Sequence, residues 1–193
     1  MQSLFIIHSF NGNTKNSFGP YLVKECTSLG LNVIFPNFST GENANYHDWC
    51  KILDKYLLDG LLNDDSIIIA HSLGAHFIPK YIAEKNIKIN TYISCAGFIN
   101  KTHKENIFDK VMKDFLPTDL EIEKDILLMQ HRYAIYSDND PISSLKELEY
   151  YASKFEAKRI FIANCGHFGP KSGIKALPEA LEIIKKHILK LNL

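Results

Sequence analysis

Short apolar runs alternate along the chain with longer stretches in which apolar positions recur at helical spacing. Six runs are apolar at nearly consecutive positions, which is typical of strands buried on both faces: residues 4–8, 32–35, 66–70, 91–95, 132–136 and 159–163. Helices are predicted near residues 17–29, 46–61, 73–85, 104–115, 144–155 and 174–191. This alternation predicts a three-layer α/β fold, with a six-stranded, mainly parallel sheet of order 2-1-3-4-5-6 and helices on both faces.

One stretch departs from the alternation. Residues 98–124 carry many polar side chains, and their pattern predicts only one modest helix. We expect this stretch to form a small excursion over one edge of a functional site. The 193 residues suit a single domain, and the 46% of hydrophobic residues can supply its core, so residues 1–193 are predicted to form one α/β domain.

Polar residues directly follow four of the predicted strands. They lie at residues 8–12, 71–72, 138–140 and 165–167. Open parallel sheets bind their ligands outside the carboxyl ends of the strands. We therefore expect these four groups to meet at one end of the sheet and to form a site there.

Ser72 stands where the third predicted strand runs straight into a helix. Small residues two positions before and two after it, Ala70 and Gly74, permit a sharp turn that exposes the hydroxyl. The spacing is that of the nucleophile elbow, usually G-x-S-x-G, with Ala in place of the first Gly. The helix N-terminus behind Ser72 also favours negative charge that develops there. The alternative is that Ser72 is an ordinary helix N-cap.

Two further groups follow later strands and complete a catalytic set with Ser72. His167 lies in a glycine-flanked loop, where a base is able to move between nucleophile and leaving group, although a surface loop histidine is the alternative. Asp138 and Asp140 lie where a carboxylate would orient the imidazole, although Asp is also common in turns. The chain order Ser, Asp, His, each residue after its own strand, is typical of α/β hydrolases.

Of the two aspartates, we assign the orienting role to Asp140. Asp138 leaves the strand directly, where its side chain is available to the amides of the turn itself. Asp140 lies further out and precedes Pro141, which favours an extended conformation for the residue before it. The predicted triad is therefore Ser72, His167 and Asp140.

An oxyanion hole needs two backbone N–H groups near the nucleophile. The elbow geometry predicts Leu73 as one donor and a residue of the loop after the first strand, Phe10, as the other. His8 and His71 are interpreted as residues that hold loops by hydrogen bonds. The histidines show no metal-ligand spacing, and the predicted chemistry needs no cofactor.

Charge and cysteine usage narrow the functional classes. Lys and Arg total 22 and Asp and Glu total 22, which gives no reason to expect a nucleic acid or an anionic membrane as partner. No apolar run approaches the length of about 20 residues that spans a bilayer, and residues 1–7 read as a strand rather than a signal peptide. The four cysteines form no C-x-x-C pair, which favours free thiols in the cytoplasm.

These residues resemble a small serine-hydrolase family that includes the retinoblastoma-binding protein 9 type and the bacterial YdeN type. The resemblance covers nearly the whole chain, in the segments 6–8, 35–37, 70–74, 137–141 and 165–168 and in Trp49. It implies a compact α/β-hydrolase core with little lid and a triad at Ser72, Asp140 and His167. Ser9 and Ala70 depart from the family pattern, in which Gly is common at both positions.

The predicted activity is the hydrolysis of small acyl esters, a small molecule being the substrate. A thioesterase or an amidase would share the same machinery. A third alternative from another class is an interaction protein that retains the hydrolase fold, because one branch of the family is named for a binding partner. Nothing else in the sequence indicates a protein partner.

Overall fold

The computed structural model describes residues 1–99 and 107–188. Its six strands form one sheet in the order β2-β1-β3-β4-β5-β6, in which every neighbouring pair is parallel. The strands are β1 (Ser3–Ile7), β2 (Asn32–Ile34), β3 (Ile67–His71), β4 (Ile89–Cys95), β5 (Met129–Tyr136) and β6 (Lys158–Phe161). The predicted fold class and strand order are confirmed.

Helices cover both faces of this sheet. The described residues contain α1 (Gly19–Ser28), α2 (Tyr46–Leu58), α3 (Leu73–Lys85), α4 (Ile107–Phe115), α5 (Asp119–Leu128), α6 (Leu145–Lys154) and α7 (Pro178–His187), with short 3₁₀ turns at Gly41–Asn43 and Pro170–Ser172. Buried residues of α1 and α7 share one hydrophobic cluster, and those of α2 to α6 share a second. The sheet therefore lies between two helical layers.

The alternation of side chains along β1 explains why both faces of the sheet are apolar. Leu4 and Ile6 pack against the layer of α1 and α7, whereas Phe5 and Ile7 pack against the layer of α2 to α6. All four side chains are at most 2% exposed. Each such burial stabilises the fold by about 1.5–3 kcal/mol, so a polar residue at any of these positions would be costly.

The stretch at 98–124 differs from its prediction. One helix was expected there, but the structure has two. Helix α4 lies inside the stretch, and α5 begins inside it and ends four residues after it. The Thr118 side chain accepts from the Glu121 backbone N–H, and the Glu121 side chain accepts from the Thr118 backbone N–H, so a capping box starts α5. The T-x-x-E spacing was the sequence signal for this helix. The first residues of the predicted helix at 104–115, and the last of that at 174–191, lie outside the described residues.

Within the described ranges, no helix is both long enough and apolar enough to cross a bilayer.

Candidate active site

Ser72 lies at the turn between β3 and α3 in a backbone conformation that non-glycine residues rarely adopt. Its φ is 52° and its ψ is −113°, which costs on the order of 1–3 kcal/mol. Its backbone N–H donates to the Cys95 carbonyl at 3.0 Å, and its own carbonyl accepts from the Ala75 N–H at 2.8 Å. The turn is thus held on both sides, and it presents the hydroxyl at the carboxyl end of the sheet.

Close packing at this turn explains the small residues around Ser72. A Cβ added to Gly74 would lie 2.9 Å from the His8 carbonyl oxygen and 2.9 Å from a methyl group of Ile7. Helix α3 therefore packs directly on the end of β1, which only glycine allows. Ala70 is fully buried in β3, and its methyl group fits where the family pattern has Gly.

The three predicted triad residues form one continuous chain of hydrogen bonds. The Ser72 hydroxyl lies 2.8 Å from Nε2 of His167, and Nδ1 of His167 lies 2.7 Å from Oδ2 of Asp140. The Asp140 side chain is 1% exposed and that of His167 is 15% exposed. Because a carboxylate only accepts, Nδ1 carries the imidazole proton and Nε2 is left to accept from Ser72.

The two aspartates of the loop after β5 have separate contacts. Oδ1 of Asp140 accepts from the backbone N–H groups of Ile142 and Ser143 at 2.7 and 3.2 Å, which fixes the carboxylate and leaves Oδ2 for His167. Asp138 is exposed and accepts instead from the Asn164 N–H at 2.8 Å. This hydrogen bond lowers the pKa of the Asp138 carboxyl. Asp140, and not Asp138, contacts His167.

The loop that carries His167 is tied to the loop that carries Asp140 by a set of acceptors that the sequence analysis missed. Three consecutive backbone N–H groups, at residues 164–166, each donate to a side chain of residues 137–139. The pairs are Asn164 to Asp138 at 2.8 Å, Cys165 to Ser137 at 2.9 Å and Gly166 to Asn139 at 2.7 Å. The only available signal was the run of short acceptor side chains, S-D-N, directly after a strand.

His71 and His8 contact loop backbone, in line with their interpretation. Nε2–H of His71 donates to the His167 carbonyl at 2.7 Å. Burial, together with the nearby His167, lowers the pKa of His71 to about 3, so the ring is neutral. Nδ1–H of His8 donates to the Ser9 carbonyl at 2.8 Å, and Nε2 accepts from the Phe38 N–H at 3.1 Å. Burial likewise lowers the pKa of His8.

The two predicted oxyanion donors belong to the first turn of α3 and to the loop after β1. Leu73 is the first residue of α3, where a backbone N–H has no partner within the helix. Phe10 lines the same cleft as Ser72, and its carbonyl accepts from the Gly41 N–H at 2.8 Å. A Cβ on Gly12 would lie 2.8 Å from the Ser9 nitrogen, so this glycine permits the tight turn after Phe10.

A cleft of about 450 Å³ opens above Ser72, within the usual range for small-molecule sites. Its apolar lining residues include Phe10, Phe108, Pro141, Ile142 and Pro170. The rings of Phe10 and Phe108 meet edge to face with centroids 5.1 Å apart. Phe108 belongs to α4, so the stretch at 98–124 contributes to the edge of the cleft. The polar wall consists of Ser9, Asn11, Asn16, Lys171 and Ser172.

Two buried tyrosines support the helix behind the elbow, and the sequence analysis missed them too. Pro79 lies inside α3 and lacks the N–H that would donate to the Ala75 carbonyl. The hydroxyls of Tyr92 and Tyr151 lie 2.9 and 2.7 Å from that carbonyl oxygen. The first turn after Ser72 therefore keeps its hydrogen bonding despite the proline.

The thiol of Cys165, two positions before His167, is not activated. Burial raises the pKa of Cys165, next to Gly166, so its thiol stays protonated at neutral pH. Within residues 1–99 and 107–188, no three His, Cys, Asp or Glu side chains lie together in a way that could hold a metal ion.

A parallel sheet of this order, with a strained serine after β3 and a histidine loop after β6, defines an α/β hydrolase. Solved structures share the fold. YdeN from Bacillus subtilis superposes with a TM-score of 0.83, at 21% identity over 97% of this chain and 98% of that one. Est1E from Butyrivibrio proteoclasticus with bound ferulic acid superposes with a TM-score of 0.73, at 12% identity over 97% and 90% of the two chains.

The sequence comparisons assign the family. Residues 4–186 match the serine hydrolase family, so this chain belongs to it. YdeN of Bacillus subtilis (strain 168) is 22% identical over 191 residues, which cover 98% of this chain and 97% of that protein. The monoacylglycerol lipase of Paleococcus ferrophilus shares the fold with a TM-score of 0.70, at 11% identity over 96% of this chain and 94% of that one. The predicted resemblance to the YdeN type is confirmed.

Proposed function

We propose that this serine hydrolase is a carboxylesterase that cleaves small acyl esters with a Ser72–His167–Asp140 triad. The observation that carries the proposal is the hydrogen-bond chain from the Ser72 hydroxyl through His167 to Asp140, with separations of 2.8 and 2.7 Å. A serine hydroxyl is a weak nucleophile on its own. A base in contact with it, held by a buried carboxylate, supplies the activation that it needs.

In the proposed reaction, the Ser72 oxygen attacks the ester carbonyl while Nε2 of His167 takes the hydroxyl proton. The tetrahedral intermediate collapses when His167 gives this proton to the leaving alcohol. Water, deprotonated by the same imidazole, then attacks the acyl-enzyme and releases the acid. Asp140 keeps the proton of His167 on Nδ1 and stabilises the imidazolium.

Negative charge on the carbonyl oxygen would be stabilised by the backbone N–H groups of Leu73 and Phe10. The N-terminus of α3 adds the positive end of its dipole at the same place. Removal of one such donor typically lowers kcat by about 10²–10³. Apart from the ester and water, every group that this reaction uses belongs to the chain itself, so the proposal includes no cofactor.

Two observations favour short acyl chains, and a third favours esters as the substrate class. The cleft is open and only about 450 Å³ in volume. In the described part of the chain, α4 alone among the helices between β4 and β5 contributes a residue, Phe108, to its lining. Two of the proteins that share the fold are named as a carboxylesterase and a monoacylglycerol lipase. We also propose a cytoplasmic location, with which the four free cysteines agree.

The test is a series of p-nitrophenyl esters from acetate to palmitate, measured with the purified protein and with Ser72→Ala. We expect kcat/KM to be highest for the shortest chains, to show no activation at a lipid interface, and to vanish in the variant. A matched acyl thioester and acyl anilide measure the alternatives in the same buffer. Faster cleavage of the thioester or the anilide would overturn the ester assignment, and turnover of none of them by the protein would overturn the hydrolase proposal.

A further inference from the structure

Lys171 is the one charged side chain on the described lining of the cleft above Ser72. It is exposed, and none of the ion pairs among the described residues includes it. No Asp or Glu of the described residues lines the cleft. The ammonium group is therefore free to meet a negative charge on a bound molecule.

The backbone of Lys171 has a fixed position relative to His167. Lys171 lies in the 3₁₀ turn Pro170–Ser172, in which the Ser172 N–H donates to the Gly169 carbonyl at 3.0 Å. The Ser172 hydroxyl accepts from the backbone N–H of His167 at 3.1 Å. A Cβ on Gly166 would lie 2.6 Å from that hydroxyl oxygen, so the turn packs closely on the histidine loop. The backbone of Lys171 is thus held in place against the loop that carries His167.

Two other ionisable side chains of the described residues near the cleft, Asp140 and His71, are already bonded or neutral. The Asp140 carboxylate is 1% exposed and its oxygens are bonded to two backbone N–H groups and to His167. His71, which lines the cleft, is neutral because its pKa is about 3. The N-terminus of α3 at Leu73 adds further positive potential. The described lining of the cleft therefore favours anions.

The position of Lys171 indicates which part of the substrate bears the charge. His167 has to reach the leaving oxygen to protonate it, so residues of the same loop face the alcohol part of an ester. The Phe10 N–H is the proposed donor to the carbonyl oxygen, so we assign the rings of Phe10 and Phe108, which contact each other and line the cleft, to the acyl part of the ester. One ammonium group matches the single charge of a carboxylate.

We propose that the preferred substrates are esters whose alcohol part carries a carboxylate, which Lys171 binds while a short acyl group lies against Phe10 and Phe108. This inference rests on the proposed esterase function. It names the class of ester and the residue that selects it.

The test compares two acetyl esters of similar size, 4-acetoxybenzoate and the uncharged 4-acetoxybenzamide. We expect Lys171→Glu to lower kcat/KM for the benzoate by about tenfold, mostly through KM, and to change that for the benzamide by less than about twofold. Lys171→Arg should keep the preference. Lys158→Glu is the matched control, because it makes the same charge change at the start of β6, the opposite end of the sheet from the cleft. Added salt should weaken the preference in the unmodified protein.

The outcomes separate this inference from the proposed function. Equal effects of Lys171→Glu on the two esters, or an equal loss in Lys158→Glu, would overturn the role of Lys171 while the esterase proposal stands. Hydrolysis of neither ester, nor of p-nitrophenyl acetate, would overturn both.

Discussion

Asp140 and Asp138 allow a matched pair of isosteric substitutions, since both lie in one loop and only Asp140 contacts His167. Oδ1 of Asp140 accepts from two backbone N–H groups at 2.7 and 3.2 Å, while Oδ2 accepts from Nδ1–H of His167 at 2.7 Å. An asparagine has one acceptor oxygen, which has to stay on the two backbone donors. The NH₂ group of Asp140→Asn would therefore face His167.

An N–H donor opposite Nδ1 makes His167 accept there and carry its proton on Nε2. In that tautomer, His167 is unable to take the proton of Ser72. The same change in serine protease triads lowers kcat by about 10⁴. This factor corresponds to about 5 kcal/mol in the activation barrier, and we expect a loss of three to four orders of magnitude for Asp140→Asn. Asp138→Asn keeps an acceptor oxygen for the Asn164 N–H, so its loss should be less than about tenfold.

The assay is kcat/KM on p-nitrophenyl acetate for the protein and both variants, with circular dichroism and thermal unfolding to show that each variant folds. A crippled Asp138→Asn beside a mild Asp140→Asn would refute the assignment of the orienting carboxylate. Equal and small losses in both variants would refute the tautomer argument altogether.

Three further predictions concern pH and the loops around the site. Since His167 has to be uncharged to accept the Ser72 proton, kcat/KM should rise from acid pH and then level off. A profile that stays flat from acid to neutral pH would argue against a histidine base. Asn139→Ala removes the acceptor for the Gly166 N–H and should lower kcat about tenfold. Asn139→Asp keeps an acceptor and should retain most activity. Equal losses in the two variants would count against a role of Asn139 in holding the His167 loop. Asp125 is 0% exposed, and burial raises its pKa to about 9, so the folded state holds a proton that the unfolded chain loses above about pH 4. The free energy of unfolding should therefore fall as pH rises from 5 to 8, by up to about 1.4 kcal/mol per pH unit. In urea titrations, Asp125→Asn should show a smaller fall and a higher stability at pH 7. The same pH dependence in the variant and the unmodified protein would contradict this.

Much of the fold was predictable because its signals are local. Consecutive apolar residues predict strands buried on both faces, and β1 and β3 lie where such runs occur. The start of α6 was also predictable, since Ser144 caps it with Glu147 three positions later. Helix α5 was missed because the polar pattern of residues 98–124 predicts only one modest helix, although the capping box of α5 is visible at Thr118 and Glu121.

The residues of the predicted triad could be identified from the sequence, but the residues that hold their loops and helix in place could not. Parallel strands bring their carboxyl ends to one edge, so the residues after β3, β5 and β6 were expected to meet, and Ser72, Asp140 and His167 do lie in contact. Their catalytic roles stay predictions. The acceptors at residues 137–139, and the tyrosines at the Ala75 carbonyl, depend on contacts between residues far apart in sequence. The S-D-N run shows that acceptors are available after β5, but no local pattern identifies the residues that they contact.

The most direct test of the central claim is covalent labelling with a fluorophosphonate probe, followed by intact-mass measurement and peptide mapping. We expect one adduct per chain, located on Ser72, which is lost in Ser72→Ala and after heat denaturation. Labelling of Ser72→Ala should be absent while its circular dichroism spectrum is unchanged. An adduct on a different residue, or undiminished labelling of a folded Ser72→Ala, would contradict the assignment of Ser72 as the nucleophile.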